Sequence, residues 1–230
     1  SSKPSDMLSS VIENATDEDG DTYKCVRMFF LDAYERSDRI YLFGKVWVPD
    51  KAGGGSEATP GIGAGSYQSM CMQVRGLERQ LFFLPRAWET PDDIDKIGMY
   101  NEIKDLLQKS VLRGSRDAFR CKFVERNYAF ELPGVPRAPS TYVKCKYSAK
   151  YPTLEEHQMS GKTFSKVFGA KTKCLENFLV KRRIMGPCWI EIKDPSPGTN
   201  ASWCKVEGLV DDPKSITVCT GDRKPEEAPT

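Results

Sequence analysis

The stretch Ile40-Tyr-Leu-Phe-Gly-Lys-Val-Trp-Val48, bounded by Pro49, carries the strongest fold signal in this sequence. β-Branched and aromatic residues favour an extended strand, and a proline removes the backbone donor that would continue the pairing. The preceding stretch Lys24–Tyr34 is rich in Val, Phe and Met and is also strand-like. Strands are therefore predicted to dominate the first half of the chain.

Two helices are predicted among the strands. The first follows Thr90, which can cap it, and Pro91, which suits its first position. Apolar residues then recur at a helical spacing, at Ile94, Ile97, Tyr100, Ile103 and Leu107. The second helix begins after Thr172 and ends near Gly186, and strand-like segments follow it. The fold class is therefore predicted to be α+β and sheet-rich, with two principal helices.

Length and composition limit the class of protein. The chain has 230 residues, 39% of them apolar, and a formal net charge of +2. These values suit one large domain or two small ones, and they argue against collagen-like, coiled-coil and wholly disordered chains. No apolar run approaches the roughly 18 residues of a membrane span, so no membrane partner is expected.

The domain boundaries follow from composition. Residues 1–22 are acidic and predict a flexible tail, residues 51–66 predict a flexible Gly-rich loop, and residues 220–230 predict a second tail. The folded domain is predicted to span residues 23–219. The opening Ser1-Ser2-Lys3-Pro4 is untypical of a native start, which predicts a fragment of a longer chain.

Eight cysteines are scattered along the chain and never form a Cys-x-x-Cys pair. That spacing excludes an ordinary zinc ribbon. Most lie among apolar or β-prone residues, so we expect all eight to be reduced thiols, with a disulfide framework as the alternative.

No catalytic motif is complete. Gly161-Lys162-Thr163 resembles the end of a phosphate-binding loop, but the required glycine five positions before Gly161 is Glu156. His157 is the sole histidine, and its polar surroundings predict a surface residue. No paired carboxylates of exonuclease type are present. We therefore predict no catalytic residue, no metal site and no cofactor in this chain.

Positive charge is concentrated between Arg137 and Lys193. This segment has twelve Lys or Arg and four Asp or Glu, a net charge of +8. Aromatic residues are interleaved with the cations, a pattern typical of single-strand binding, although the aromatics could equally form core. The predicted nucleic-acid-binding residues are Lys144, Lys146, Lys150, Lys171, Lys173, Lys181, Arg182 and Arg183.

Longer segments resemble a known family. They are Leu31-Asp-Ala-Tyr-Glu35, Leu42-Phe-Gly-Lys-Val-Trp-Val48, Leu77-Glu-Arg-Gln-Leu-Phe-Phe-Leu-Pro-Arg86, Val124-Glu-Arg-Asn-Tyr-Ala-Phe-Glu-Leu-Pro133, Lys146-Tyr-Ser-Ala149, Thr163-Phe-Ser-Lys-Val-Phe-Gly169, Gly186-Pro-Cys-Trp-Ile-Glu191 and Ser202-Trp-Cys-Lys-Val-Glu207. In this order, over roughly residues 24–210, they resemble the N-terminal domain of the alpha catalytic subunits of family-B DNA polymerases. The Gly-rich loop departs from that pattern.

The resemblance implies a fold and a role. The fold would be a sheet-rich α+β N-terminal domain with an RNA-recognition-like βαβ element, which would fit Thr163–Lys193. The exonuclease-like domain would begin after residue 230. The palm aspartates of the family lie partly in a Tyr-Gly-Asp-Thr-Asp motif, of which Gly20-Asp-Thr-Tyr23 reproduces only a part.

The implied role is that of a non-catalytic, template-side module. The parent polymerase would use Mg²⁺ and extend RNA primers in the nucleus. Its partners would be the remaining polymerase domains, template DNA, the RNA–DNA primer duplex, primase and the polymerase B subunit. The alternative is an independent single-strand nucleic-acid-binding or protein-interaction domain.

Overall fold

The computed structural model describes residues 7–50, 65–115, 117–127 and 132–220. The chain divides into two compact units, a first unit of Ser1–Leu77 with Cys174–Thr230 and a second unit of Glu78–Lys173. Each unit contains one β-sheet and one α-helix among its described residues. The predicted sheet-rich α+β class and the two principal helices are confirmed.

The strands of the first unit form one sheet. They are β1 (Glu13–Thr16), β2 (Thr22–Arg36), β3 (Arg39–Pro49), β4 (Gly65–Val74), β9 (Cys188–Lys193), β10 (Ser196–Pro197), β11 (Val206–Val210) and β12 (Ile216–Val218). The sheet order is β10-β11-β4-β3-β2-β9-β12, with β1 also paired to β2. β11 and β4 are parallel, whereas the other pairs are antiparallel.

The predicted strand at residues 40–48 lies inside this sheet. Along β3, Ile40, Leu42, Gly44 and Val46 are buried, and the residues that alternate with them are only partly buried. This alternation places one face of the strand on the core, as the period of a β-strand requires. The helix of this unit, α2 (Cys174–Arg182), buries Cys174 and Phe178.

The loose acidic tail predicted over residues 1–22 is wrong for residues 7–22. Leu8 and Val11 are buried, with 1% and 6% of their surface exposed, and residues 8–10 form a short 3₁₀ turn. β1 then pairs with the start of β2, Glu13 opposite Cys25. Burial of these two apolar side chains stabilises a segment whose overall composition is acidic.

The other predicted flexible segments are mostly outside the described residues. This holds for residues 1–6, for 51–64 of the predicted Gly-rich loop and for 221–230 of the second tail. Gly65 and Ser66, which the predicted loop included, belong to β4 and pair with Pro49 and Val48.

The second unit is a four-stranded antiparallel sheet covered on one face by a helix. Its elements are β5 (Glu78–Pro85), α1 (Lys96–Leu106), β6 (Arg120–Arg126), β7 (Ser140–Ser148) and β8 (Phe164–Phe168). The order is β6-β7-β5-β8, and every pair is antiparallel. Met99 and Ile103 of α1 pack into one core with Leu81, Phe83 and Val143.

The start of α1 differs from the sequence prediction. Thr90 precedes a separate 3₁₀ turn, Pro91–Asp93, and the cap of α1 is Asp95, whose carboxylate accepts a hydrogen bond from the Gly98 amide at 2.8 Å. The predicted apolar face is also only partly buried, because Ile97 and Tyr100 remain 75% and 42% exposed. α1 continues into a π-helical turn, Leu107–Val111.

The segment Thr163–Lys193 contains β8, α2 and β9 in the predicted order, but its two strands belong to different sheets. β8 pairs with β5, and β9 pairs with β2 and β12. A βαβ unit requires both strands in one sheet. The predicted RNA-recognition-like βαβ element is therefore not formed by this segment. No helix of the described residues is long and apolar enough to cross a membrane.

Candidate nucleic-acid interface

Four cations lie side by side on two strands of the second unit. In the antiparallel pair of β6 and β7, Arg120 lies opposite Lys146 and Lys122 lies opposite Lys144. Directly opposed residues in such a pair project to the same side of the sheet. We call this set, Arg120, Lys122, Lys144 and Lys146, the basic sheet face.

Strand alternation determines why these residues face outward. The residues that alternate with the two lysines of β7 are Val143, Cys145 and Tyr147, and all three are buried in the core that contains α1. Because successive side chains point to opposite faces of a strand, Lys144 and Lys146 lie on the face that α1 does not cover. Cys121 and Phe123 of β6 pack against the same core.

The charges of the basic sheet face are only partly compensated. Glu78 of β5 forms ion pairs with Arg120 and, at 3.3 Å, with Lys146. Lys122 makes no ion pair with any carboxylate in the described parts of the chain. Like charges directly opposite one another destabilise a β-sheet. Lys122 and Lys144 therefore form a like-charge cross-strand pair, which is by itself unfavourable to the sheet.

An aromatic ring adjoins the cations. The Nζ of Lys144 lies 5.5 Å from the centroid of the Phe82 ring, which is half-buried. Phe168 lies opposite Phe82 on β8. A surface cavity of about 270 Å³ is lined by Cys121 and by the four cations of the basic sheet face. Cations next to an aromatic ring can bind phosphate and stack a base.

Two other predicted site residues are paired with acids near them in space. Lys150 Nζ lies 2.5 Å from Asp117 Oδ2, and this carboxylate raises the pKa of Lys150 above its ordinary value. Lys171 Nζ lies 3.0 Å from Glu156 Oε2. Lys173 is exposed. The carboxylates of Asp117 and Glu156 thus offset the positive charges of Lys150 and Lys171.

The three remaining predicted residues belong to the first unit. Lys181 and Arg182 occupy the last turn of α2, and Arg183 follows it with a φ of 58°. Lys181 and Arg183 are exposed, whereas Arg182 is half-buried. Cations at a helix C-terminus interact favourably with its carbonyl groups. The predicted set is therefore divided, with five members in the second unit and three in the first.

The incomplete phosphate-loop motif has a structural partner. The amides of Lys162 and Thr163 donate to the Glu102 carboxylate at 2.6 and 2.7 Å, and the Thr163 hydroxyl donates to it at 2.5 Å. Amides of this kind would have to face a phosphate in a nucleotide-binding loop. Here they bind a carboxylate of the same chain.

The prediction that all eight cysteines are free is wrong at one pair. Cys121 of β6 and Cys145 of β7 form a disulfide, with their Cα atoms 4.3 Å apart. They are direct cross-strand partners, which brings the two sulfurs together. Cys25, Cys71, Cys174, Cys188, Cys204 and Cys219 are not disulfide-bonded. Burial raises the pKa of the Cys71 and Cys219 thiols to about 12.

His157 is 73% exposed and lies 3.4 Å from the Glu155 carboxylate, which confirms the predicted surface position. In the described parts of the chain, no group of three or more His, Cys, Asp and Glu side chains is arranged to hold a metal ion.

Sequence reasoning missed two members of the basic sheet face. Arg120 and Lys122 precede Arg137, where the count of basic residues began. The available signal was the alternation Arg120-Cys-Lys-Phe-Val124, which has the period of a half-buried strand. Their pairing with Lys144 and Lys146 depends on strand register, which the sequence did not reveal.

Comparison with known proteins relates the chain to DNA polymerases. Residues 165–227 match the family described as DNA polymerase family B, exonuclease domain. The sequence analysis placed the exonuclease-like domain after residue 230, whereas this match begins within β8. The expected boundary is therefore wrong.

Curated relatives extend the similarity over most of the chain. The DNA polymerase alpha catalytic subunit of Xenopus laevis is 36% identical over 84% of this chain, and that of Arabidopsis thaliana is 33% identical over 95%. The corresponding protein of Mus musculus is 34% identical over 90%. The chain spans only 13 to 15% of the length of these relatives. It therefore belongs, as the homologue of one segment, to the DNA polymerase alpha catalytic subunits of family B.

Proposed function

We propose that this chain is a non-catalytic, template-side scaffold module of a DNA polymerase alpha catalytic subunit. One observation carries the proposal. The similarity extends over 84 to 95% of the chain but reaches only 13 to 15% of each relative. The Tyr-Gly-Asp-Thr-Asp motif expected for the palm is not part of this sequence.

The activity would then belong to the rest of the parent chain. That chain would extend RNA primers at replication initiation, in the nucleus and with Mg²⁺. The module would contact the remaining polymerase domains, template DNA and the RNA–DNA primer duplex. Primase and the polymerase B subunit would be partners through the parent chain.

The environment of two carboxylates supports a non-catalytic role for the segment similar to the exonuclease domain. Glu191 accepts a hydrogen bond from the Tyr23 hydroxyl at 2.7 Å and forms an ion pair with Arg27 at 3.4 Å. Glu207 is fully buried and accepts bonds from the amides of Ala201 and Ser202 at 2.9 and 2.6 Å. Metal-dependent nucleases need carboxylates that can bind metal ions, and these two are occupied by the fold.

The experiment that tests this proposal uses the isolated 230-residue chain. It is incubated with a primer–template, deoxynucleotides and Mg²⁺, and with a labelled single strand, in parallel with the full-length parent polymerase. We expect neither primer extension nor strand degradation by the isolated chain. Mg²⁺-dependent activity that Glu191→Gln or Glu207→Gln abolishes in a folded protein would refute the non-catalytic role.

The alternative is an independent single-strand nucleic-acid-binding or protein-interaction domain. The downstream coding region distinguishes it from the module. A reading frame that continues into Tyr-Gly-Asp-Thr-Asp supports the polymerase, whereas a stop codon close to Thr230 contradicts it. Titration with single-stranded nucleic acid across a range of salt concentrations then separates the two versions of the alternative. Salt-dependent binding supports a nucleic-acid-binding domain, and no binding supports a protein-interaction domain.

A further inference from the structure

We infer that the basic sheet face binds the backbone of a single nucleic-acid strand, an inference that rests on the proposed template-side function and locates its contact surface. Arg120 and Lys122 are new members of this site. Lys144 and Lys146 were predicted to bind nucleic acid from the local excess of basic residues, but the sequence did not show which surface they share.

The first argument is charge. The face places Arg120 opposite Lys146 and Lys122 opposite Lys144, and Glu78 forms ion pairs with two of these four cations, Arg120 and Lys146. Side chains two residues apart on a strand are separated by roughly 7 Å, so the two rows present a regular array of cations. Phosphates that bind there release condensed counterions and offset the repulsion between facing cations.

The second argument is shape and chemistry. The face lies on the side of an antiparallel sheet that α1 does not cover, beside a small buried cluster of Leu84, Val135 and Tyr142 against which Phe82 packs. A single strand can lie along such a surface with a base against a partly exposed ring, and Phe82 provides one beside Lys144. An acidic peptide would use the cations but would gain little from a flat ring. The observations therefore favour a nucleic-acid strand.

The test is fluorescence anisotropy of the complete 230-residue chain with a labelled oligothymidylate of about 12 nucleotides, titrated across a range of salt concentrations. The variant Lys122→Ser with Lys144→Ser removes two cations of the face. Each single-strand phosphate contact contributes about 0.7 to the log–log salt slope, so we expect the slope to fall by about 1.4. The corresponding loss of affinity at about 0.1 M salt is about 20-fold.

A second variant separates stacking from charge. Phe82→Leu keeps an apolar side chain but removes the ring. We expect it to weaken binding severalfold while leaving the salt slope unchanged, because stacking releases no counterions. A melting curve for each variant confirms that it remains folded.

The matched control removes two cations from the helical side of the same unit. Lys104→Ser with Lys109→Ser changes exposed residues of α1 and of the π-helical turn that follows it. We expect this control to bind as the unmodified chain does. An equal loss in both double variants, no loss in either, or no binding by the unmodified chain would overturn the inference.

A labelled polyglutamate peptide completes the test. If it binds as tightly as the oligonucleotide and loses affinity equally in the Lys122/Lys144 variant, the face is a protein-binding surface and the inference is wrong. Activity of the isolated chain, or a stop codon near Thr230, would contradict the proposed function but would leave the anisotropy result unchanged. The two failures are therefore distinguishable.

Discussion

At the residue scale, Glu102 has a measurable role in fixing the segment that contains Thr163. It accepts three hydrogen bonds, two from backbone amides and one from a hydroxyl. Burial raises its pKa, but the hydrogen bonds from Thr163 and Lys162 together outweigh that effect, so the pKa lies below the ordinary value of 4.5. A lowered carboxylate pKa stabilises the fold above the unfolded-state value and loses that effect as pH falls through the folded-state value.

We therefore predict that Glu102→Gln lowers the free energy of unfolding by about 1–2 kcal/mol at neutral pH, because one charged acceptor of three bonds is lost. As pH is lowered over the range below the ordinary value of 4.5, the difference from the unmodified chain should shrink, since Glu102 in the folded chain becomes protonated as pH falls through its lowered pKa. Urea unfolding at several pH values measures this. Glu125→Gln, at an exposed position, is the control and should leave the profile unchanged. A constant difference across that range would contradict the assignment.

The cysteine pair gives a second residue-scale prediction. With Cys121 and Cys145 joined, six thiols should react under denaturing conditions without reductant, and eight after reduction. Replacing both by Ser should lower the free energy of unfolding by roughly 3 kcal/mol, the usual effect of a disulfide that closes a loop of this length. Thiol titration and chemical unfolding measure these quantities. Eight reactive thiols before reduction would show that the pair is not bonded in the native protein.

The sequence could not identify this pair, for a physical reason. Its reduced state was inferred from spacing and from the apolar neighbours of the cysteines. The disulfide depends on the register of β6 against β7, which places Cys121 directly opposite Cys145. A shift of one residue would place the two side chains on opposite faces of the sheet.

At the element scale, the end of α2 tests the other predicted cations. We predict that replacing Lys181, Arg182 and Arg183 by Ser in the full-length polymerase weakens primer–template binding. The salt slope should become flatter by up to about one unit for each lost phosphate contact. Binding titrations across salt concentrations measure both effects.

The fold should survive this change, because exposed charges contribute little to stability. Lys214→Ser, in a short turn of the same unit, is a single-site control. If affinity and slope stay unchanged in a folded protein, these residues act only at the helix terminus or in docking another polymerase domain.

The helices also show what local patterns can predict. The helical period correctly predicted that α1 and α2 exist and where they come in the chain order, since the period is a local property. It misplaced the start of α1, because Thr90 and Asp95 are both good caps and only the latter bonds the Gly98 amide. Ile97 and Tyr100 fit the same apolar period as Ile103, yet burial depends on what packs against each position.

At the scale of the whole molecule, strand content was predictable but strand partners were not. Residues 68–74 and 79–84 are both strand-like in sequence, and the short segment between them is typical of a hairpin connection. The structure places β4 in one sheet and β5 in the other, with the division between the units at Leu77. Pairing such as β5 with β8 joins residues about eighty positions apart, and local propensity carries no information on that choice.

The basic character of the candidate site was predictable from the sequence, but the set of residues that form one surface was not. The excess of cations after Arg137 indicated Lys144 and Lys146, but composition alone could not separate them from Lys150 and Lys171. Those two lysines have carboxylate partners at Asp117 and Glu156. Folding, rather than net charge, determines which cations share a surface.

The discontinuous first unit has a consequence for synthesis on the ribosome. β4 needs β11 as its parallel neighbour, so its sheet stays incomplete until residues 206–210 have been made. The second unit is one continuous segment, Glu78–Lys173, and emerges earlier. We predict that in a nascent chain stalled just after Lys173 leaves the ribosome, limited proteolysis will spare the second unit and digest the first. Equal protection of both would contradict this order of folding. In that order, the second unit folds while the N-terminal strands of the first unit still lack the C-terminal strands with which they pair.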